Sequence, residues 1–325
     1  MVVSALEIRH IDVWYFWVEF MALQIVEFFG FKPLDPEAAS FVADRKCPFI
    51  NDACSKPNHG ACSVSQTGGD PVICCPNRIY ENDYQFLQDI ADDAFGRGHQ
   101  LVHPDAFKAN RLSGDLTGNE VVIFGHRWGR ELPLPSASSK AGVSKKFYVD
   151  WILAKVNPAG ELLEMTATEV QTIDTTGSYR DQSEMFMSGE PYTDKQGRNP
   201  GFSNAGLNWE NVNKRILPQV IYKGHVLRRE SKCTKGLYFV CPEQVYTRIR
   251  DRLGGDLHDY PKGPGTITFR SYTLGPEVVL GIKRDTVFSG QFTTTVDQVA
   301  LAFTSPQNLP DMGVYESAIS KALAF

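Results

Sequence analysis

The stretch that decides the fold is FYVDWILAKVNPAGELLEMTATEVQTIDTTGSYRD, Phe147 to Asp181. Two apolar runs, Phe147 to Val156 and Leu162 to Ile173, flank the Pro/Gly-containing turn signal NPAGE, a pattern that predicts two strands joined as a hairpin. Side chains alternate along a strand. Asp150, at the start of the first run, and Glu169 and Gln171, in the second, are therefore predicted to share one face, with Val170 turned to the core.

Outward from this hairpin the pattern predicts a mixed α/β chain. Upstream, Leu23, Val26 and Phe29 recur at helical intervals and predict a helix over Ala22 to Phe29, stopped by Gly30. Tyr80 to Phe95 predicts a second helix with Phe86, Ile90 and Phe95 inward, and Val121 to Phe124 a short strand. Leu132 to Lys146 is a turn-rich connection. Downstream, the chain is polar and without period until Asn204. Trp209 to Arg229 then predicts a basic-ended helix kinked at Pro218. A strand at Leu237 to Val240, a helix at Glu243 to Leu253, strands at Thr266 to Tyr272 and Val278 to Ile282, and a helix at Val314 to Leu323 complete the order. There is no internal repeat.

The 325 residues, 42% of them hydrophobic, suffice for a substantial core. The segment Val13 to Phe31 is interrupted by Glu19 and Glu27, so no membrane span is expected, and no small-residue cleavage site follows it. A cytoplasmic chain is expected. Met21 could itself begin the protein, which would make residues 1–20 an extension. A net charge of −5 excludes a surface coated in lysine for non-specific polyanion binding. It leaves room for a nucleic-acid enzyme with a local basic surface and metal-binding carboxylates.

Five of the seven cysteines fall between Cys47 and Cys75, in a segment rich in Pro, Gly, Asn and Ser. A loop of that length needs something to hold it. Cys47, Cys54, Cys62 and Cys75, with Cys74 as an alternative, are separated by six, seven and twelve residues. In a reducing compartment, four thiolates point to a closed tetrahedral zinc or iron site before disulfides. The gaps are not the C-x-x-C pairs of common zinc ribbons, and a single buried cysteine is usually only a small apolar side chain. That plainer reading is preferred for Cys233 and Cys241.

Asp150 with the E-x-Q of Glu169 and Gln171 resembles the PD-(D/E)XK nuclease core, in which two carboxylates hold Mg²⁺ against a scissile phosphate. Taken alone, the pattern fits equally two acids on strand ends. The ordered blocks VEFFGF, CPF, GACSV, CCPNR, FYVDWILAKV, EVQTIDTTGSYRD and NWENVNKR are together similar to the NotI-type restriction endonucleases, from about Gln24 to the C-terminal helices. This resemblance implies an α/β fold: a PD-(D/E)XK core with a mixed central sheet flanked by helices over residues 99–325. Residues 21–98 become an N-terminal helical region with a four-cysteine metal-binding subdomain. The implied protein is a Mg²⁺-dependent, homodimeric type II endonuclease acting on double-stranded DNA at a GC-rich palindrome, for which GGCC is the guessed core. It leaves 5′-phosphate ends and works beside a cognate DNA methyltransferase. The resemblance puts Asp150, Glu169 and Gln171 in the catalytic positions, matches Glu131 to an upstream acid that assists the metals, and gives iron to Cys47, Cys54, Cys62 and Cys75. The chain departs from the family at the doubled Cys74-Cys75, in the spacing from Glu131 to Asp150, and over Ser183 to Ser203.

A lysine at the last motif position could orient or deprotonate water, whereas the Gln171 amide only donates and accepts hydrogen bonds. Water activation then falls to the metal and positioning to Gln171. Ser178, Tyr179 and Arg180 leave the sheet beside the phosphate and are candidates for backbone or base contacts. Lys214, Arg215, Lys223, Arg228 and Arg229 form a basic run read either as a DNA face or as an ordinary solvated one. Two other function classes share these features: a non-catalytic metal-containing DNA-binding protein, and a structure-specific DNA repair nuclease.

Overall fold

The structure is a computed structural model that describes residues 22–56, 59–134, 147–277, 280–305 and 309–323. Residues 1–20 and most of the Leu132 to Lys146 connection lie outside the described residues.

The segment expected as the first helix is strand β1, Leu23–Phe28. Its helical spacing rests on three apolar residues, too few to outweigh pairing with a distant partner. Strand β2, Ala61–Gln66, runs antiparallel to it with Ile25 opposite Val64. β3, Val72–Ile73, completes a three-stranded sheet. Glu27 turns inward as well, because the buried guanidinium of Arg78 receives it at 3.2 Å. Phe29 and Gly30, both at positive φ, end the strand with a turn where a stop was expected.

Helix α1, Glu81–Phe95, matches the predicted span and ends at Gly96, with Phe86 and Ile90 buried, Phe95 half-buried, and Asn82, Asp83 and Tyr84 at positive φ near its start. After β4, Gln100–Val102, comes a helix that the periodicity did not reveal, α2, Pro104–Ser113. The local chemistry explains it: Pro104 opens the helix, the His103 side chain caps it and Gly114 closes it. β5, Glu120–Gly125, β6, Trp151–Val156, and β7, Leu162–Val170, follow. β6 and β7 form the expected antiparallel hairpin. The first predicted strand is broken, however. Phe147–Tyr148 pairs separately with Pro133–Leu134, and Asp150 stands in the gap.

α3, Arg180–Met187, occupies part of the stretch that lacked a period. The long helix expected over Trp209 to Arg229 begins with a wide turn, Val212–Ile216, and becomes α4, Leu217–Leu227, with Pro218 in its first turn, where its missing N–H breaks nothing. β8, Cys233–Pro242, α5, Glu243–Leu253, and β9, Thr266–Leu274, match the predicted order. Of the strand expected at Val278 to Ile282, Val278 and Val279 lie outside the described residues, Leu280 and Gly281 form a turn, and Ile282 is irregular. The strand is instead β10, Thr286–Thr295, followed by α6, Val296–Thr304, and α7, Val314–Leu323.

Seven strands make one mixed sheet in the order β10-β9-β8-β7-β6-β5-β4. β7, β8 and β9 are mutually parallel. Helices flank both faces, and alternation sorts the side chains between them. Trp151, Leu153, Val170, Tyr238 and Val240 pack with Leu87 and Ile90 of α1 on one side. Ala167, Leu237, Phe239 and Cys241 pack with Leu217, Val220, Val245 and Val296 on the other, and β1 and β2 share that second core. Cys233 and Cys241 are buried there as small apolar side chains. Glu169 lies opposite Phe239 in the register, so it faces the side covered by α4.

Candidate active site

Asp150 is fixed by its two neighbouring strands. Its Oδ2 accepts the backbone N–H of Val170 at 2.7 Å. Gly125, on β5, supplies the room: a Cβ there would lie 2.6 Å from the Asp150 carbonyl oxygen and 2.4 Å from the Trp151 ring. Glu169, the penultimate residue of β7, is buried. Gln171 continues the parallel ladder by donating its N–H to the Val240 carbonyl at 2.9 Å, and its side-chain amide donates to the Thr172 carbonyl at 3.0 Å. The two acids and the amide predicted from the hairpin therefore gather at one end of β6 and β7.

Lys223 corrects the reading of a basic, solvated helix face. It is buried, and its Nζ donates to Glu169 Oε1. The physical reason is its place in the inward stripe of α4, where Val220, Lys223, Gly224 and Leu227 are all buried. That i, i+3, i+4, i+7 spacing was visible in the sequence and is the signal that could have found it. Arg228 and Arg229 are exposed, Arg228 pairing with Asp297 at 2.6 Å.

The electrostatics follow from two acids held close in a dry place. Burial, then the Asp150 charge, raises the Glu169 carboxyl from its ordinary 4.5 to about 7, while Lys223 pulls it down. Asp150 is also raised, again chiefly by burial. The Val170 N–H and Lys223 oppose that rise, Glu131 adds to it, and His126 opposes it. Glu131, exposed, thus lies within electrostatic reach of the pair, as does His126, which sequence reasoning missed.

Glu169 Oε2 is buried with no hydrogen-bond partner among the described residues. A buried carboxylate oxygen left open beside a second carboxylate fits a hard divalent cation. Mg²⁺ commonly binds through one or two carboxylates, filling its remaining positions with water and substrate phosphate. Asp150 and Glu169 are the residues that would hold it. Among the described residues no group of three or more His, Cys, Asp or Glu side chains is arranged to hold a metal ion by itself.

Where the chain leaves β7 it lines a cleft of about 400 Å³ with Lys56, Asp174, Ser178, Asn208, Asn211 and Arg215 among its walls. Tyr179 also borders it, but its ring is packed in the core. Arg180 and Lys214 are exposed and paired with Glu184 at 2.5 Å and Glu210 at 3.1 Å. Of the loop and helix residues proposed to meet DNA, Ser178, Tyr179 and Arg215 line the cleft, Tyr179 as a largely buried side chain.

The cysteines form a second feature. Cys47, Cys62 and Phe49 make a small apolar cluster, and Cys74 belongs to the main core. Burial pushes the Cys62 thiol up and the Cys75 thiol to about 12. Cys62 lies within electrostatic reach of Cys75 and Cys47, and Cys47 within that of Cys54, so the four expected ligands share one neighbourhood. The Gly60 N–H approaches Cys54 Sγ at 3.3 Å. Their sulfurs do not converge as a ready metal site.

The sequence pattern described as Restriction endonuclease NotI matches residues 34–248, more than half of the chain, including the cysteine segment, Asp150, Glu169, Gln171 and Lys223. The chain belongs to the NotI restriction endonuclease family. Membership makes it a site-specific nuclease of double-stranded DNA. Strands β1, β9 and β10 lie outside the matched span, although β9 and β10 belong to the central sheet. No curated protein matches the chain. Among the described residues no helix is long and apolar enough to cross a membrane.

Proposed function

We propose that the chain is a Mg²⁺-dependent type II restriction endonuclease of PD-(D/E)XK type, with Asp150, Glu169 and Gln171 as its catalytic residues and Glu131 assisting. The observation that carries this reading is the open, buried Oε2 of Glu169 beside Asp150 in a chain of the NotI family. When bound, Mg²⁺ would acidify a water and neutralise charge building on the phosphate. Asp150 keeps its direction through the Val170 N–H, and Glu169 through Lys223. Gln171 positions the attacking water by hydrogen bonds without exchanging a proton. The water oxygen bonds to phosphorus as the P–O3′ bond breaks. The electron pair leaves on O3′, which takes a proton from solvent, and the water releases its proton to solvent. The products are a 5′-phosphate and a 3′-hydroxyl.

The cleft beyond β7 contacts the DNA through Ser178, Tyr179 and Arg215 on its walls, and the exposed Arg180 and Lys214, next in sequence to Tyr179 and Arg215, add positive charge. Arginine bound to guanine O6 and N7 suits a GC-rich site. A palindromic site calls for a two-fold homodimer, and a methyltransferase of the same specificity protects the host. Cys47, Cys54, Cys62 and Cys75 are the residues that would hold one structural iron, with zinc the second choice; their sulfurs would have to draw together around it, and the closed site would staple their loop. Incubating the purified protein with plasmid DNA and Mg²⁺ and sequencing the ends tests the reading. Discrete cuts at one sequence with 5′-phosphates are expected, and random nicking or intact plasmid would overturn it.

A further inference from the structure

Lys223 stands in a place where a lysine is costly. It belongs to the inward stripe of α4, between Val220 and Leu227. Helix and sheet approach closely beside it: a Cβ on Gly224 would come within 2.9 Å of Val296 Cγ2 and 3.5 Å of Ile267 Cδ1. A well-packed apolar residue often serves stability as well as or better than a buried ion pair, so the pair by itself is a weak device for holding a fold together. Among the described residues Glu169 Oε1 is the one hydrogen-bond partner of the ammonium, which leaves two of its three N–H donors unused.

The motif on β7 has the complementary gap. Residue 171, two places after the glutamate and hence on the same strand face, is where the nuclease core expects a lysine. Here it is an uncharged amide turned to the Thr172 carbonyl. A lysine at 171 would bring its ammonium up beside Glu169 from within the strand. Lys223 brings one to the same carboxylate from the helix packed over it.

We propose that Lys223 is the missing lysine of this active site, delivered from α4: it holds Glu169 by Oε1, leaves Oε2 to the metal, and turns its free N–H donors to the attacking water. The proposal rests on the nuclease reading above. The role is electrostatic and positional, with no proton transferred to or from Nζ. Gln171 and Lys223 then divide between them what one lysine does elsewhere: the amide positions the water and the ammonium supplies the charge.

The test transplants the lysine. Lys223→Gln should melt cooperatively and bind Ca²⁺ at least as tightly as the wild type by calorimetry, since a cation competing for Glu169 has gone. Its single-turnover cleavage of DNA with Mg²⁺ should fall on the order of 10²-fold, the scale of losing one preorganised donor. The double variant Lys223→Gln with Gln171→Lys should recover at least about tenfold of that loss, within the same scale, because the charge has returned to Glu169 from the strand. Near wild-type cleavage by Lys223→Gln, a lost melt, weakened Ca²⁺ binding, or no recovery in the double variant would each overturn the proposal. Asp150→Ala in the same assay separates the two claims: if it still cleaves, the nuclease site itself has been misplaced.

Discussion

Asp150→Asn should make the metal-free protein more stable while ending its activity. The asparagine keeps an oxygen for the Val170 N–H, which Asp150 now accepts at 2.7 Å, and removes only the charge. The Glu169 carboxyl is raised from 4.5 to about 7 in the folded chain. A folded carboxyl raised above its unfolded value binds extra protons between those two pH values. The contribution of this carboxyl to stability is therefore fullest below about 4.5 and is lost as the pH rises to about 7. The whole shift corresponds to about 3 kcal/mol lost over that window. Burial is the larger cause and Asp150 the second, so neutralising Asp150 should return about 1 kcal/mol, with more from the relief of its own buried charge. Urea denaturation without added Mg²⁺ should show Asp150→Asn ahead by about 1–2 kcal/mol at pH 8, with the gap closing toward pH 5. A variant no more stable than the wild type at pH 8 would refute the argument that the two acids strain each other.

Other consequences are as direct. Arg78→Ala leaves Glu27 buried and uncompensated and removes the contacts to Glu81, Thr286 and the Arg284 carbonyl; it should lower stability by about 3–5 kcal/mol in chemical denaturation. Gln171→Leu cannot hydrogen-bond a water and should be severely impaired in single-turnover cleavage while Gln171→Lys retains some, and full activity in the leucine variant would remove Gln171 from the mechanism. Purified protein should carry about one metal per chain, as a single four-cysteine site requires. Cys47→Ser, Cys54→Ser, Cys62→Ser and Cys75→Ser should each lose it by elemental analysis while Cys74→Ser, whose side chain lies in the main core, keeps it.

The parts of the fold legible in the sequence are those whose signal is local. The β6–β7 hairpin announces itself by two apolar runs around NPAGE, and α1 and α5 by a full helical stripe. β1 was misread because its burial depends on β2 and on Arg78, 51 residues from Glu27. β10 was missed because, as a largely exposed edge strand built from TVFSGQFTTT, it lacks an apolar run. The same division holds at the site. Asp150, Glu169 and Gln171 were legible from strand alternation, but the partner of Glu169 stands 54 residues away on a helix. Residue type does not separate Lys223 from Arg228 and Arg229, but helical spacing does, since Lys223 falls in the Val220 to Leu227 stripe and the two arginines do not. The packing of α4 on the sheet then turns Lys223 inward and leaves the arginines in solvent.

The central claim is that Asp150 and Glu169 perform the chemistry without being needed to find the DNA. The measurement that tests it most directly compares Asp150→Ala and Glu169→Ala with the wild type in two assays on one cognate fragment: cleavage in Mg²⁺ and equilibrium binding in Ca²⁺. Both variants should lose cleavage and keep specific binding largely intact. Cleavage by either at close to the wild-type rate would contradict the account.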